Sequence, residues 1–145
     1  YGVFCYDYTL RTFTYFIFPK INPIEVKQQI RTIDFMPTIL EYLDIPQSDK
    51  FEKIDGESLF PLINGSVVEE KFAFSETGNP LKEKRPPKNP NTKSIRTSKW
   101  KLIFNEYNES KELYDLEYDS AEEHNLSGKN LEIESILWKK IQEYL

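Results

Sequence analysis

Two arginines, Arg11 and Arg96, carry the side chains in this sequence that are best suited to binding an anion. A guanidinium group presents its donors in a fixed plane that matches the oxygens of a carboxylate or a phosphate. Each arginine lies on or beside a predicted strand. Two interpretations follow: the arginines contact an anionic substrate, or they form structural ion pairs with carboxylates. The structural ion pair is the preferred interpretation.

The only cysteine, Cys5, and the only histidine, His124, are the other candidates for nucleophilic or metal chemistry. A metal site at His124 would need further ligands that converge from elsewhere in the fold. His124 lies in an acidic loop near Glu122 and Glu123, and a solvated loop residue is the simpler interpretation. We interpret Cys5 as a buried apolar filler.

Three carboxylates, Asp115, Glu117 and Asp119, alternate at the end of a predicted strand and could pair for acid–base catalysis. A solvated strand face explains the same pattern, and we prefer that interpretation. The basic segment from Lys82 to Lys93 could likewise bind an anion, but a solvated linker is the preferred interpretation.

A helix at residues 30–43 is the element around which the rest of the chain must be arranged. Its apolar residues recur at the spacing of an amphipathic helix, and they are Ile33, Met36, Ile39, Leu40 and Leu43. Thr32 or Asp34 can accept hydrogen bonds from the first free N–H groups, and Pro37 then falls in the first turn. Pro46 disfavours a helical conformation at the preceding residue. We expect this helix to be docked on a sheet.

Two strands are predicted before this helix. Phe13–Phe18 is almost continuously apolar, which is typical of a strand buried on both faces. Ile24–Gln28 is a shorter strand that follows the turn at Asn22–Pro23. Because a buried strand needs neighbours on each side, and little sequence precedes Phe13–Phe18, we expect a truncated sheet whose other strands lie upstream.

The second half of the sequence predicts a small antiparallel sheet covered by a helix. A short apolar turn or helix at Ser58–Ile63, ended by Asn64–Gly65, and a strand at Lys71–Glu76 come first. The later elements are a hairpin of Ser94–Thr97 with Trp100–Phe104, a strand at Glu112–Leu116 and a helix at Leu131–Leu145. Prolines between 78 and 92 exclude a helix or a central strand there. We therefore expect an α/β domain end at 1–77, a proline-rich linker at 78–92 and a C-terminal subdomain at 93–145.

Composition and charge exclude several classes of protein. The net charge of −5 argues against a nucleic-acid surface, which would need a basic excess to neutralise phosphates. The longest apolar run is too short to span a bilayer. A chain of 145 residues can form one domain, or a domain and a fragment of another.

Four segments, in the expected order, resemble the sulfatases of the alkaline-phosphatase-like superfamily. They are Tyr6–Thr12, Ile30–Leu40 with its isoleucine-aspartate-x-x-proline-threonine pattern, Asp55–Gly65 with its aspartate-glycine-x-serine-leucine pattern, and the predicted sheet from Ser94 to Leu116. The resemblance covers nearly the whole chain. It implies an alkaline-phosphatase-like α/β fold, of which this chain is the C-terminal part.

The resemblance also implies chemistry that this chain does not hold. Sulfatases hydrolyse sulfuric esters with a cysteine or serine that is modified to formylglycine, and with a divalent cation, usually calcium. The family's nucleophile motif is cysteine or serine, x, proline or alanine, x, arginine, and Cys5 with the following Tyr6 and Asp7 does not match it. The residues for calcium and formylglycine are expected upstream of Tyr1. The chain should therefore be a C-terminal fragment that is inactive alone.

The partners implied by the resemblance are a missing N-terminal catalytic portion of the same protein and a small sulfate-ester substrate. Two alternatives stay open: a non-catalytic binding module that kept the end of the fold, and a fragment of a related phosphodiesterase or phosphonate hydrolase. Three N-x-Ser sequons, at Asn64, Asn108 and Asn125, favour a secreted or lysosomal route without fixing the compartment.

Overall fold

The structure is a computed structural model, and it describes residues 3–46, 53–83, 85 and 87–144. Its helices are α1 (Asp7–Leu10), α2 (Phe35–Tyr42), α3 (Phe60–Ile63) and α4 (Leu131–Gln142), and a 3-10 turn at Thr32–Asp34 leads into α2. Its strands are β1 (Ala73–Thr77), β2 (Thr92–Arg96), β3 (Trp100–Asn105) and β4 (Ser110–Asp115). Within these described residues, no helix has the length and apolar character that crossing a membrane requires.

The chain divides into two compact units. The first unit combines Tyr1–Phe16 with Phe72–Leu145, and the second unit is Ile17–Lys71. The sequence predicts domain bounds at 1–77, 78–92 and 93–145. These bounds remain a prediction. Residues 78–92 connect two paired strands, because β1 and β2 are antiparallel neighbours with Thr77 opposite Thr92.

The four strands of the first unit form one antiparallel sheet in the order β1-β2-β3-β4. A tight turn joins β2 to β3, in which the Thr97 N–H donates to the Trp100 carbonyl at 2.8 Å. The predicted hairpin and the predicted third strand are therefore confirmed. Short connections between antiparallel neighbours are the expected way to build such a sheet.

Helix α4 covers one face of this sheet. Ile95, Leu102 and Leu113 lie side by side on three strands, and they pack with Leu137 and Ile141 of the helix to form a core. The predicted α/β class, with a small antiparallel sheet under a C-terminal helix, is confirmed. The helix ends at Gln142 rather than at the predicted Leu145.

The opposite face of the sheet is covered by the N-terminal segment of the chain. Cys5 packs with Ile103, Tyr114 and Leu116 in a second core, and its side chain is buried. Burial is the largest influence on the Cys5 thiol and raises its pKa. The interpretation of Cys5 as an apolar filler is confirmed.

In the second unit, the predicted helix and the short helix after it are both present. Pro37 lies in the first turn of α2, where its missing N–H costs little. Helix α3 ends at Asn64, and Gly65 follows with a φ of 77°, a left-handed conformation that glycine adopts without strain. The end predicted at Asn64–Gly65 is therefore confirmed.

The two strands predicted before α2 are wrong for this chain. Residues 11–18 and 21–30 contain no helix or strand, and Phe13 is 83% exposed. A strand forms only where a neighbour pairs with its backbone, and the sheet of the first unit consists of β1–β4. Apolar composition alone therefore did not produce a strand. Residues 47–52, which follow α2 in the sequence, lie outside the described residues.

The described residues of the second unit do not show the apolar stripe of α2 docked on a sheet. Ile33, Met36, Ile39 and Leu43 are exposed, whereas Asp34 and Thr38, on another face of the turn and helix, are buried. The described part of the second unit has no strand that could cover the stripe. Helical periodicity identified the apolar face correctly, but the chain buries a different face.

Candidate functional site

The strongest concentration of buried charge is on the sheet face that the N-terminal segment covers. Arg96 at the end of β2 is the register partner of Lys101 on β3. Asp7 at the start of α1 and Glu122 in the loop before α4 reach the same place. Lys101 has no exposed side-chain area, and Asp7 and Glu122 are also buried. We call these four residues the charged cluster.

Each charge in the charged cluster faces an opposite charge. Lys101 Nζ lies 2.8 Å from Asp7 Oδ1 and 2.7 Å from Glu122 Oε1. Arg96 donates from Nε and Nη2 to the Asp7 carboxylate at 2.8–3.2 Å. The Asp7 backbone N–H donates to Glu122 Oε2 at 2.6 Å. Two cations and two anions thus balance in a largely buried site, as buried charges require.

The charged cluster lowers the pKa of the Asp7 carboxyl group. Burial alone would raise this pKa, because it penalises the charged form. The hydrogen bonds from Arg96 and Lys101, together with their positive charges, outweigh burial and favour the ionised carboxylate. Asp7 is therefore held as an anion that ties α1 to two strands.

A second polar group on the same sheet face is centred on Glu112. The hydroxyls of Tyr6 and Tyr114 both donate to Glu112 Oε2, at 2.6 and 2.7 Å, and Asn105 Nδ2 donates to Oε1 at 2.9 Å. Burial, followed by the hydrogen bond to Glu112, raises the pKa of Tyr6 to about 12. These contacts keep the tyrosines neutral and fasten the N-terminal segment to β3 and β4.

The two arginines proposed as anion-binding candidates are in different environments. The guanidinium group of Arg96 is engaged by Asp7 and by the Thr97 carbonyl, which accepts from Nη1 at 3.1 Å. The preferred structural ion pair of Arg96 is thus present. Arg11 is exposed, and the structure gives its side chain no ion pair within the described residues. Contact of either arginine with a substrate stays a prediction.

The isoleucine-aspartate-x-x-proline-threonine and aspartate-glycine-x-serine-leucine segments contact each other in the second unit. Asp34 pairs with Arg31 at 2.7 Å and accepts the Glu57 N–H at 3.0 Å. Thr38 Oγ1 donates to the Asp34 carbonyl at 2.6 Å and accepts the Leu59 N–H at 2.9 Å. Both motifs therefore have a structural role in this chain, which is to hold the loop against the helix.

Gly56 shows how closely this loop approaches the turn before α2. A Cβ atom at Gly56 would lie 2.0 Å from the Ile33 carbonyl oxygen, which is far inside van der Waals contact. Only a residue without a side chain fits there. The glycine of the aspartate-glycine-x-serine-leucine pattern is therefore required by a close contact with the backbone.

The other candidates, Asp115, Asp119 and His124, lie at the end of β4 or in the loop that follows it. The Asp119 carboxylate accepts the backbone N–H groups of Glu123 and His124 at 3.0 and 2.8 Å. His124 itself is exposed, as its interpretation as a loop residue requires. Asp115 accepts the Glu117 N–H at 3.2 Å. These carboxylates stabilise turns.

The described residues do not provide a metal centre of the kind that calcium would need. Among residues 3–46, 53–83, 85 and 87–144, no three His, Cys, Asp or Glu side chains are placed to hold one ion. The buried carboxylates Asp7, Asp34 and Glu122 already bind cationic side chains.

Two hollows in the described surface are small. One, of about 30 Å³, is lined by residues of the second unit that include Arg31 and Asp34. The other, of about 60 Å³, is lined by residues of the first unit that include Tyr6 and Glu112. Ligand pockets are typically about 300–1,000 Å³. Neither hollow can hold a sugar by itself.

Lys101, Asp7 and Glu122 were not predicted as a site from the sequence. Lys101 interrupts the apolar strand segment Trp100–Phe104. A charge between buried positions needs a partner, so this position could have indicated a buried ion pair. The identity of the partners depends on contacts between distant parts of the chain. A single sequence does not contain that information in a local pattern.

Comparison with known proteins gives a family match over almost the whole chain. Residues 2–145 match the family described as "N-sulphoglucosamine sulphohydrolase, C-terminal". No curated protein matches the sequence.

Solved structures resemble the chain in fold. A protein solved in complex with its substrate D-glucosamine-2-N,6-O-disulfate has 24% identity and a TM-score of 0.61, over 77% of this chain and 23% of that one. A 2-O GAG sulfatase has 21% identity and a TM-score of 0.61 over the same shares. The phosphonate monoester hydrolase of Silicibacter pomeroyi has 22% identity and a TM-score of 0.54, over 77% of this chain and 24% of that one. The chain thus spans about a quarter of the length of these structures.

Proposed function

The chain belongs to the C-terminal family of the N-sulphoglucosamine sulphohydrolases, and from this premise we propose that it is the C-terminal part of a hydrolase that cleaves sulfuric esters. The observation that carries the proposal is the family match, which extends over residues 2–145. Two groups of contacts, the charged cluster and the helix–loop contact of the second unit, stabilise the structure. A stabilising role is what we expect of the C-terminal part of a larger fold. The activity belongs to the whole protein.

The proposed substrate class is a sulfated sugar. Support comes from the family, which is named after an enzyme acting on N-sulphoglucosamine, and from a structural neighbour whose substrate is D-glucosamine-2-N,6-O-disulfate. A sulfate group on such a sugar is a compact anion. Basic side chains and a cation neutralise an anion of this kind during hydrolysis.

The nucleophile and the cation would come from the N-terminal portion of the same protein. Calcium and formylglycine are what the sulfatase resemblance implies, and the described residues offer no donor set for the ion. Cys5 is buried and lies outside any cysteine-x-proline-x-arginine motif. No step of the reaction is therefore assigned to a residue of this chain.

Within this proposal, the chain contributes structure and is inactive alone. Neither of the two hollows is large enough for a sugar, and the charges of the charged cluster neutralise one another. Of the two candidate arginines, Arg11 is the exposed one. Its guanidinium would add positive charge to one wall of a substrate cleft completed by the N-terminal portion.

A second candidate is hydrolysis of a phosphonate monoester. The observation that favours it is the structural similarity to the Silicibacter pomeroyi enzyme. This similarity covers the same share of the chain as the similarity to the sulfatase. Sulfate and phosphonate esters are both tetrahedral oxyanion esters, so one scaffold can serve either reaction. The nucleophile upstream decides between them.

The experiment is a comparison of hydrolysis by the whole protein and by the 145-residue chain. We expect the whole protein to release sulfate from D-glucosamine-2-N,6-O-disulfate or an aryl sulfate, and the chain alone to release none. Turnover of a phosphonate monoester in preference to both sulfate esters would favour the second candidate. Sulfate release by the chain alone would refute the proposal.

A further inference from the structure

The loop that connects β1 to β2 carries a concentration of positive charge. Residues 82–88 contain four cationic side chains and one carboxylate, a net charge of +3, in a chain whose net charge is −5. The rest of the chain therefore carries a net charge of −8. We call residues 78–91 the basic loop. A basic segment on an otherwise acidic chain attracts anions to one place on its surface.

The described cations of the basic loop are exposed and have no carboxylate partner. Lys82, Arg85 and Lys88 are all exposed. Within the part of the chain that the structure describes, no ion pair involves any of the three. Other lysines of the first unit do form ion pairs at the surface, as Lys99 and Lys140 show. The three cations of the loop can therefore meet an external anion without first breaking an ion pair.

Hydrogen bonds hold the basic loop at its base. The Asn79 N–H donates to Asn91 Oδ1 at 2.7 Å, and Asn91 Nδ2 donates to the Asn79 carbonyl at 2.9 Å. The Asn79 side chain also accepts the Leu81 N–H at 2.9 Å. Four prolines, at positions 80, 86, 87 and 90, restrict the backbone further. Because a restricted loop has less conformational entropy to lose, binding a ligand there costs less free energy than binding to a flexible linker.

We propose that the basic loop binds the sulfate groups of an extended sulfated sugar chain. The whole protein would then hold its substrate at the loop as well as at the sugar that is hydrolysed. The inference rests on the proposed function, from which it takes the substrate class.

Charge complementarity is the argument for this occupant. A sulfate ester is an anion at neutral pH, and lysine and arginine side chains are cations there. A short basic segment matches a chain whose anionic groups are borne on separate sugars. A nucleic acid is a poorer match, because it requires a basic excess over a wide surface, whereas the rest of this chain is acidic.

The test measures binding of a short heparin oligosaccharide to the whole protein by titration calorimetry. The loop variant replaces Lys82, Arg85 and Lys88 by glutamine. The matched control replaces three exposed lysines outside the loop by glutamine, and these are Lys99, Lys129 and Lys139. Both variants lose the same charge, and both should keep the melting temperature of the native protein because the changed side chains are exposed.

We expect the loop variant to bind the oligosaccharide about tenfold more weakly than the native protein, and the control to bind within about twofold of it, since three exposed ion pairs are lost only in the loop variant. The native protein should bind the chemically desulfated oligosaccharide at least about tenfold more weakly than the sulfated one. Added salt should weaken binding to the native protein more steeply than binding to the loop variant.

An equal loss of affinity in the loop variant and the control would overturn the inference, because the effect would then belong to the overall charge. Equal affinity for the sulfated and desulfated oligosaccharides would also overturn it, as would equal affinity for a single-stranded oligonucleotide of the same charge. Sulfate release is measured on the same samples. Ester hydrolysis without loop-dependent binding refutes the loop site alone, and loop-dependent binding by a protein that hydrolyses no sulfuric ester refutes the proposed function alone.

Discussion

Lys101 Nζ lies 2.8 Å from Asp7 Oδ1, although 94 residues of sequence separate them. The contact joins the N-terminal segment to the central strand pair of the first unit, and Lys101 is buried with no exposed side-chain area. A buried ammonium group is stable only with anionic partners, and Asp7 and Glu122 provide them. The first unit is thus closed by apolar packing on both faces of its sheet, and the charged cluster adds buried ion pairs on the face that the N-terminal segment covers.

Substitution of Lys101 by methionine should destabilise the first unit strongly. The change leaves Glu122 and Asp7 with less positive charge in a buried site, and removal of one member of such a group costs about 3–5 kcal/mol. Urea denaturation followed by tryptophan fluorescence measures this, since Trp100 and Trp138 both lie in the first unit. Lys99→Met, which removes the exposed ion pair with Glu117, is the control and should change little. An equal effect of both substitutions would contradict the account.

The stability of the first unit should fall in acid because of Asp7. Its pKa in the folded state is below the ordinary value of 3.8, so the ionised carboxylate favours folding above that value. This contribution is lost as the pH falls through the lowered pKa. Asp7→Asn should therefore be less stable than the native chain at pH 7, and the difference should shrink below about pH 4. A difference that does not change with pH would show that Asp7 acts by packing alone.

Gly56→Ala should destabilise the second unit. The added methyl group would meet the Ile33 carbonyl at 2.0 Å, and overpacking of this kind costs about 1–3 kcal/mol. Gly65→Asn is the matched control, because Gly65 has open space around it and asparagine tolerates its left-handed backbone. Thermal unfolding of the protein that contains this chain compares the two variants. Loss of stability in the control alone would refute the close contact.

Thr38→Val should be destabilising although it preserves shape. The substitution removes the hydroxyl oxygen that accepts the Leu59 N–H, and an unsatisfied buried donor costs about 1–3 kcal/mol. Thr38→Ser keeps the hydroxyl and should retain most of the stability. Hydrogen exchange at the Leu59 amide gives a direct readout, with faster exchange expected in Thr38→Val. Unchanged exchange would mean that this hydrogen bond does not hold the loop.

Elements formed by contacts close in sequence were predictable. The hairpin of β2 and β3, the helix beginning near Thr32 and the short helix ending at Asn64 all follow from turn residues, caps and periodicity. These patterns act within one or two turns of the chain, so a single sequence reveals them.

Elements that depend on distant partners were not predictable. Phe13–Phe18 has the composition of a strand but is not a strand in the structure, and the apolar face of α2 has the pattern of a docked helix although the described part of the second unit contains no strand to cover it. The charged cluster was missed for the same reason, since Asp7 and Lys101 meet only in the folded unit. Sequence composition identifies the apolar face of a helix or strand, whereas the element that packs against this face depends on the tertiary structure.

The central claim is that these 145 residues are the end of a larger hydrolase, and the intact mass of the protein from its source tests it most directly. The account predicts a mass several times 17.2 kDa, with this sequence at its C-terminal end. A mass near 17.2 kDa would contradict it, and the chain would then be a separate module whose apolar surface binds another molecule.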